Sequence, residues 1–498
     1  MSDISFDHVP AGAIASNTYI EQAFKRASLG GLVIPQKVAV IGQYSSGKAP
    51  TDYVAKQVTS ADQAGSLYGF GSMLHIIIAA LFAANGSFDV FAFPIPDEGG
   101  AAAAEGSVSV TGDATGAGTI ALYIAGKRVA VAVANGDTDE EIADAIVAAI
   151  NANPNLPVTA AENGTTPTQV DITAKWAGDT SNDISIDIDL LVGDDLNEPS
   201  GPTIAITEMS GGATDPDPQT AFDNFGDTFY TWVVYPYQGA SQLTVLETEG
   251  ANRIDPAVKR PFAGVIGYTD TMSNYLTFLD SHNSPWLTTM PVEGSPNMQL
   301  EIAAATVAEC ARSAQADPAR PFKNLRLRGI LPGSGAEWTL AQKETVEAAG
   351  GSAFRIGANG SVLIHDLLTT YTENPLGAAD DSWRYTVTVT NVQAKLYSLD
   401  NVFNSEPFTQ AKVVDDAAIT AQPYAIRPKT VRAYVRRLVD ELWIPQAWSR
   451  ERDAIVDSIS AQINTGNAGR IDVQLTDVVA MGLRIVAVKY QWSFFAAS

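Results

Sequence analysis

The chain has 498 residues, of which 46% are apolar and 17% charged, enough to build about three domains of roughly 150 residues each and too apolar for a disordered protein. A surplus of 56 acidic over 31 basic side chains gives a net charge of −25, which disfavours direct contact with nucleic acid, another polyanion. One cysteine, Cys310, excludes an intramolecular disulfide framework and a cysteine-based zinc site.

The four histidines, His8, His75, His282 and His365, are not spaced to place two on one helix face, so neither a metal nor a cofactor is expected. The N-terminus carries Asp7 ahead of any apolar run, and the longest apolar stretch, 76–84, is half the roughly 20 residues of a membrane span. The expectation is a soluble protein made in a reducing cytosol, without membrane insertion.

In chain order, Ile4 and Phe6 alternate with Asp3, Ser5 and Asp7, and Tyr19 and Ile20 follow a linker, so residues 1–25 read as an N-terminal arm. Apolar runs at 38–41, 90–93, 232–235, 263–266, 287–292 and 327–331 read as strands. Helical stretches near 61–84, 241–253, 271–282, 298–315 and 339–349 separate them. That alternation predicts an α/β core, 26–98 plus 216–375, around a mainly parallel sheet covered on both faces.

Residues 99–215 interrupt the core. They hold 3 basic and 18 acidic side chains, only two aromatics, Tyr123 and Trp176, and small, turn-forming residues at both ends. This composition shift marks an inserted α+β, β-rich domain. Within it 120–124 and 129–133 read as strands, and Thr138-Asp139-Glu140-Glu141 is a capping box ahead of Ile142, Ile146 and Ile150 on one helical face. Further strands are expected at 170–174 and 183–190.

After about 375 the pattern changes. Residues 376–480 form an α+β C-terminal domain, and 383–498 hold 13 basic against 11 acidic side chains. Pro428 opens a helix with Val431, Tyr434, Val435, Leu438 and Leu442 on one face. Lys429, Arg432 and Arg436 fall on the other, with Arg437 beside them. That face is either simply solvated or docks an acidic partner. Residues 481–498 form a C-terminal strand or arm in which Ile485, Val486, Val488, Tyr490, Trp492 and Phe494 belong to a regular alternation. Such a strand needs a sheet to join, and a neighbouring copy would supply one by β-augmentation in an open array.

Motifs for chemistry are incomplete. Gly42-Gln43-Tyr44-Ser45-Ser46-Gly47-Lys48 fits the first seven positions of a P-loop. Ala49 replaces the magnesium-binding hydroxyl, and Pro50 disfavours helix where the helix must start. Asp183, Asp187, Asp189, Asp194 and Asp195 lack the glycine and glutamate of a calcium loop and read as a solvated strand edge. Gly333-Ser334-Gly335 lacks the spacing of a nucleophile elbow. Cys310 reads as core, and His75 as a helix-start or packing residue.

Three stretches carry a family likeness. They are Ile4-Ser5-Phe6-Asp7 with Tyr19-Ile20-Glu21, Leu67-Tyr68-Gly69-Phe70-Gly71-Ser72-Met73-Leu74, and a C-terminal block. That block contains Leu368-Thr369-Thr370-Tyr371, Lys412-Val413-Val414-Asp415-Asp416, Arg427-Pro428 and Gly469-Arg470-Ile471-Asp472. On these the chain resembles the tail sheath proteins of contractile phages, most closely the Mu-like sheath family, over nearly its whole length.

The resemblance implies a multidomain α/β and α+β fold, with a subtilisin-like α/β sheath core lacking catalytic residues, an outward-facing insertion, a tube-facing C-terminal domain and extended terminal arms. The implied function is structural. Subunits stack as hexameric rings around the tail tube and contract to drive it through the host envelope. Partners would be further copies of itself, the tail tube protein, and baseplate and tail terminator proteins, in a virion tail assembled in the host cytoplasm. Lys429, Arg432, Arg436 and Arg437 would face the tube. Ile4, Phe6, Tyr19, Ile20, Ile485, Val486, Val488, Tyr490, Trp492 and Phe494 would take part in strand exchange. The alternatives are a nucleotide-binding α/β enzyme using 42–48 and a calcium-dependent adhesin using 99–215.

Overall fold

A computed structural model describes residues 34–490 and 492, apart from 85, 87, 336, 420, 421 and 423. The expected N-terminal arm, with Ile4, Phe6, Tyr19 and Ile20, lies outside the described residues, as does Phe494. The described chain forms two compact units. One comprises 402–478, the other 34–401 with the chain from 479 onward. The division falls later than the expected boundary at 375/376, because an 18-residue helix, Thr386–Phe403, buries Val389, Ala394 and Ser398 and lies in the larger unit through Asn401.

The larger unit opens with β1 (Lys37–Gln43), β2 (Lys56–Val58), helices α1 (Ala61–Tyr68) and α2 (Met73–Phe82), and β3 (Asp89–Ile95). β1 pairs in parallel with β3, and β2 closes that edge antiparallel. Val38, Ala39, Val40 and Ile41 are fully buried, the unbroken apolar run of a strand covered on both faces.

The chain then enters the inserted module. Its strands are β4 (Glu105–Thr111), β5 (Gly118–Ile124), β6 (Lys127–Val133), β7 (Val158–Glu162), β8 (Gln169–Ala174), β9 (Ile186–Ile188) and β10 (Thr203–Ser210). They form a four-stranded sheet in the order β10-β4-β8-β7 and a three-stranded one in the order β6-β5-β9. Helix α3 (Asp139–Asn151) starts at the expected capping box: the Glu141 amide donates to Thr138 Oγ1 at 3.3 Å and the Thr138 amide to Glu141 Oε2 at 2.9 Å. Ile142, Ile146 and Ile150 face the core of the module. The strand expected at 183–190 is shorter, because 179–183 winds into a 3-10 turn and Asp189 takes a positive φ of 50°.

Back in the core run α4 (Gln219–Asp223), β11 (Trp232–Val234), α5 (Ala240–Arg253), β12 (Ala263–Tyr268), α6 (Met272–Asp280), β13 (Leu287–Pro291) and α7 (Gln299–Ala316). These strands extend the sheet to the order β13-β12-β11-β1-β3-β2, parallel except at β2. Helix α7 packs on β12 and α2 and is buried along most of its length, with Cys310 in its core-facing surface. The run at 327–331 does not become a strand. Gly329 turns there with φ 79° and Pro332 follows, leaving only Leu327 bonded to Val362. Helix α8 (Leu340–Ala348) and the hairpin of β14 (Ala353–Ile356) and β15 (Val362–Asp366) precede α9 (Thr386–Phe403).

The smaller unit holds β16 (Lys412–Val413), β17 (Ala425–Ile426), α10 (Pro428–Leu438), α11 (Arg452–Ser458) and the hairpin of β18 (Ser460–Asn464) and β19 (Asn467–Gln474). No described helix is long and apolar enough to cross a membrane.

Candidate functional site

At the basic face of α10, Pro428 occupies the first turn as expected, and Val431, Val435 and Leu438 are buried beneath it. Lys429, Arg432 and Arg436 come together, lining a shallow groove of about 300 Å³ with Ala433, Val456 and Ile459. The cations are not bare. Asp416 accepts from the Lys429 amide at 2.8 Å and lies 3.6 Å from Arg432. Arg436 reaches Asp440 at 3.4 Å, and Arg437 reaches Glu441 at 2.8 Å, both one helical turn on. Asp440 is shared with Arg452 at 2.7 Å. Arg432 and Arg436 remain about half exposed, at 46% and 56%, so these pairs are screened and exchangeable. The i,i+4 pairs were readable in the sequence, whereas Asp416 is brought in by a loop and carried no signal.

The second set of expected residues lies at the C-terminus. The alternation from 483 forms no strand among the described residues. Among the described residues no strand pairs with it. Ile485, Val486, Val488, Tyr490 and Trp492, large apolar side chains, are 67–84% exposed.

The P-loop-like segment does not form a phosphate cradle. β3 flanks β1 on one side and β11 on the other, so the strand order reverses at β1, where α/β sheets usually bind ligands beyond the carboxyl ends of the strands. Here the inserted module fills that place. Gln43, fully buried, donates to the Ala177 carbonyl and to Asp97, each at 2.6 Å. Ser46–Lys48 is a single 3-10 turn without a following helix.

The remaining candidates divide between packing and local structure. His75 caps the start of α2, with Nδ1 accepting from the Gly71 amide at 3.1 Å. Burial, with Lys127 and Lys175 nearby, pushes its pKa down to about 4. Burial pushes the Cys310 thiol well above its ordinary range. The acidic run does not share one strand face. Asp194 accepts from Tyr123 at 2.5 Å and Arg128 at 3.1 Å, while Asp183 sits on the 3-10 turn and accepts from Gln299 at 3.1 Å. No group of side chains suited to holding a metal occurs among the described residues.

No family model matches the chain. The Mu-like prophage FluMu tail sheath protein of Haemophilus influenzae is 28% identical over 441 residues, covering 88% of this chain and 89% of the relative. The chain is similar to a Mu-like tail sheath protein over most of its length. Among solved structures, the sheath tail protein of Desulfitobacterium hafniense aligns with 93% of this chain and 100% of its own at 8% identity and a TM-score of 0.47. The anti-feeding prophage helical sheath in its contracted state aligns with 97% and 100% at 10% identity and a TM-score of 0.46.

Proposed function

We propose that the chain is the subunit of a contractile tail sheath, a structural protein and not an enzyme. Copies stack as hexameric rings around a tail tube, with the core following the subtilisin-like sheath arrangement, the inserted module facing outward and the 402–478 unit facing the tube. Contraction rearranges rigid subunits and drives the tube through the host envelope, using free energy stored in a metastable extended lattice. The observation that carries this reading is the likeness to the FluMu sheath protein over 88% of the chain. The exposed apolar row from Ile485 to Trp492 supports it, since strand exchange with a neighbouring copy would cover those side chains. Lys429, Arg432, Arg436 and Arg437 then contact an acidic tube. The other partners are baseplate and tail terminator proteins, and assembly takes place in the host cytoplasm. Sedimentation of the purified chain tests the self-assembly: large polymers are expected, and a monomer at every concentration would count against it.

A further inference from the structure

After the 402–478 unit the chain returns to the larger unit, and Val479, Ala480, Gly482 and Arg484 line a narrow cavity with Pro321, Phe322, Tyr385 and Asn391. Arg484 closes this segment. Its guanidinium is 3.3 Å from Glu347, in the last turn of α8, pairs also with Asp366 at the end of β15, and lies 4.1 Å from the centre of the Tyr385 ring. The Arg484 carbonyl accepts from Lys323 Nζ at 3.3 Å. Two residues earlier, a Cβ on Gly482 would stand 2.0 Å from Pro321 Cγ, so the chain passes the proline ring only because no side chain is there.

Glu347 and Asp366 are neighbours of like charge, and Glu347 also adds negative charge at a helix C-terminus, the unfavourable end. A cation between them relieves both, and a forked guanidinium that can also stack on an aromatic ring suits the place better than an ammonium. Immediately beyond Arg484 the exposed apolar row begins.

We propose that Arg484 is the positioning residue of the C-terminal arm. It fixes the point at which residues 485 onward leave the core. Tension applied to the arm by a neighbouring copy then enters the core at Glu347 and Asp366, without being transmitted along the 402–478 segment. That mechanical consequence rests on the strand-exchange reading of the arm, whereas the anchor itself does not.

Limited trypsin digestion of the full chain tests the anchor, with exposed Lys489 as internal reference. In the wild type, cleavage after Lys489 should outpace cleavage after Arg484 by on the order of tenfold, as for a bound segment that must open before it is cut. In Glu347→Gln/Asp366→Asn the two rates should converge while cleavage elsewhere is unchanged. Equal rates in the wild type would overturn the anchor. Its role in assembly is read from polymer length by electron microscopy. Arg484→Ala should shorten polymers, and Arg484→Lys should restore them in part. Wild-type lengths for Arg484→Ala would overturn that role. If a chain truncated after residue 484 polymerised like the wild type, strand exchange would fall while the digestion result could still stand.

Discussion

Lys127, at the tip of the β5–β6 hairpin, lies 3.0 Å from Glu301 in the first turn of α7. The pair joins the inserted module to the core, and it is not alone. Ser185 donates to the Pro296 carbonyl at 2.8 Å, and Lys175 donates to the Phe70 and Pro154 carbonyls at 3.2 and 2.8 Å. The Glu301 side chain is 7% exposed, so Lys127→Met would leave a buried carboxylate without its cation. Because Lys127 is itself one-third exposed, the expected loss is about 1 to 3 kcal/mol, measured by urea unfolding. Lys127→Arg should recover most of it, and a change below about 0.5 kcal/mol would refute the joint.

The same boundary carries a pH signature. Burial pushes Asp183 up to about 7 and Asp215 up to about 6, with each also near other carboxylates. Both bind a proton more tightly folded than unfolded. Their stabilising contribution is therefore complete below the ordinary value of 3.8 and is lost as pH rises through the interval to about 7. His75 acts in the opposite sense, since its lowered pKa costs stability as pH falls from 6.5 towards 4. The expected outcome is a difference: relative to the wild type, Asp183→Asn should gain stability between pH 4 and about 7 and then level off in parallel denaturation curves. A difference independent of pH would contradict the assignment.

On α10, replacing Arg432 and Arg436 together by Gln removes two exposed pairs, with Asp416 and Asp440. Such pairs contribute about 0 to 1 kcal/mol each, so thermal unfolding of the subunit should barely change. Assembly on tubes should be abolished, judged by co-sedimentation with tube protein. Normal assembly of the double variant would remove the basic face from the account.

The parallel core was legible because strands covered on both faces must be continuously apolar. Five of the six expected runs became neighbours in one sheet. The capping box and Pro428 were legible for a local reason, as each satisfies helix-end geometry within a few residues. What the sequence did not carry was long-range: Asp416 beneath Arg432, the module seated over Gln43, and the Arg484 anchor join residues 16, 134 and more than 100 positions apart. The C-terminal alternation showed strand character without saying whose sheet it would join. Among the described residues no strand edge pairs with it, and 481–490 takes no strand form.

Removal of residues 1–20 should leave a folded monomer, with unfolding close to that of the full chain, unable to polymerise. Long polymers from the truncated chain would exclude an essential role for the N-terminal arm in linking subunits.

The central claim is that this chain builds a sheath, and negative-stain electron microscopy of the purified protein tests it most directly. The account predicts hollow helical tubes of stacked rings. A field of discrete, uniform single particles at concentrations where related sheaths polymerise would contradict it.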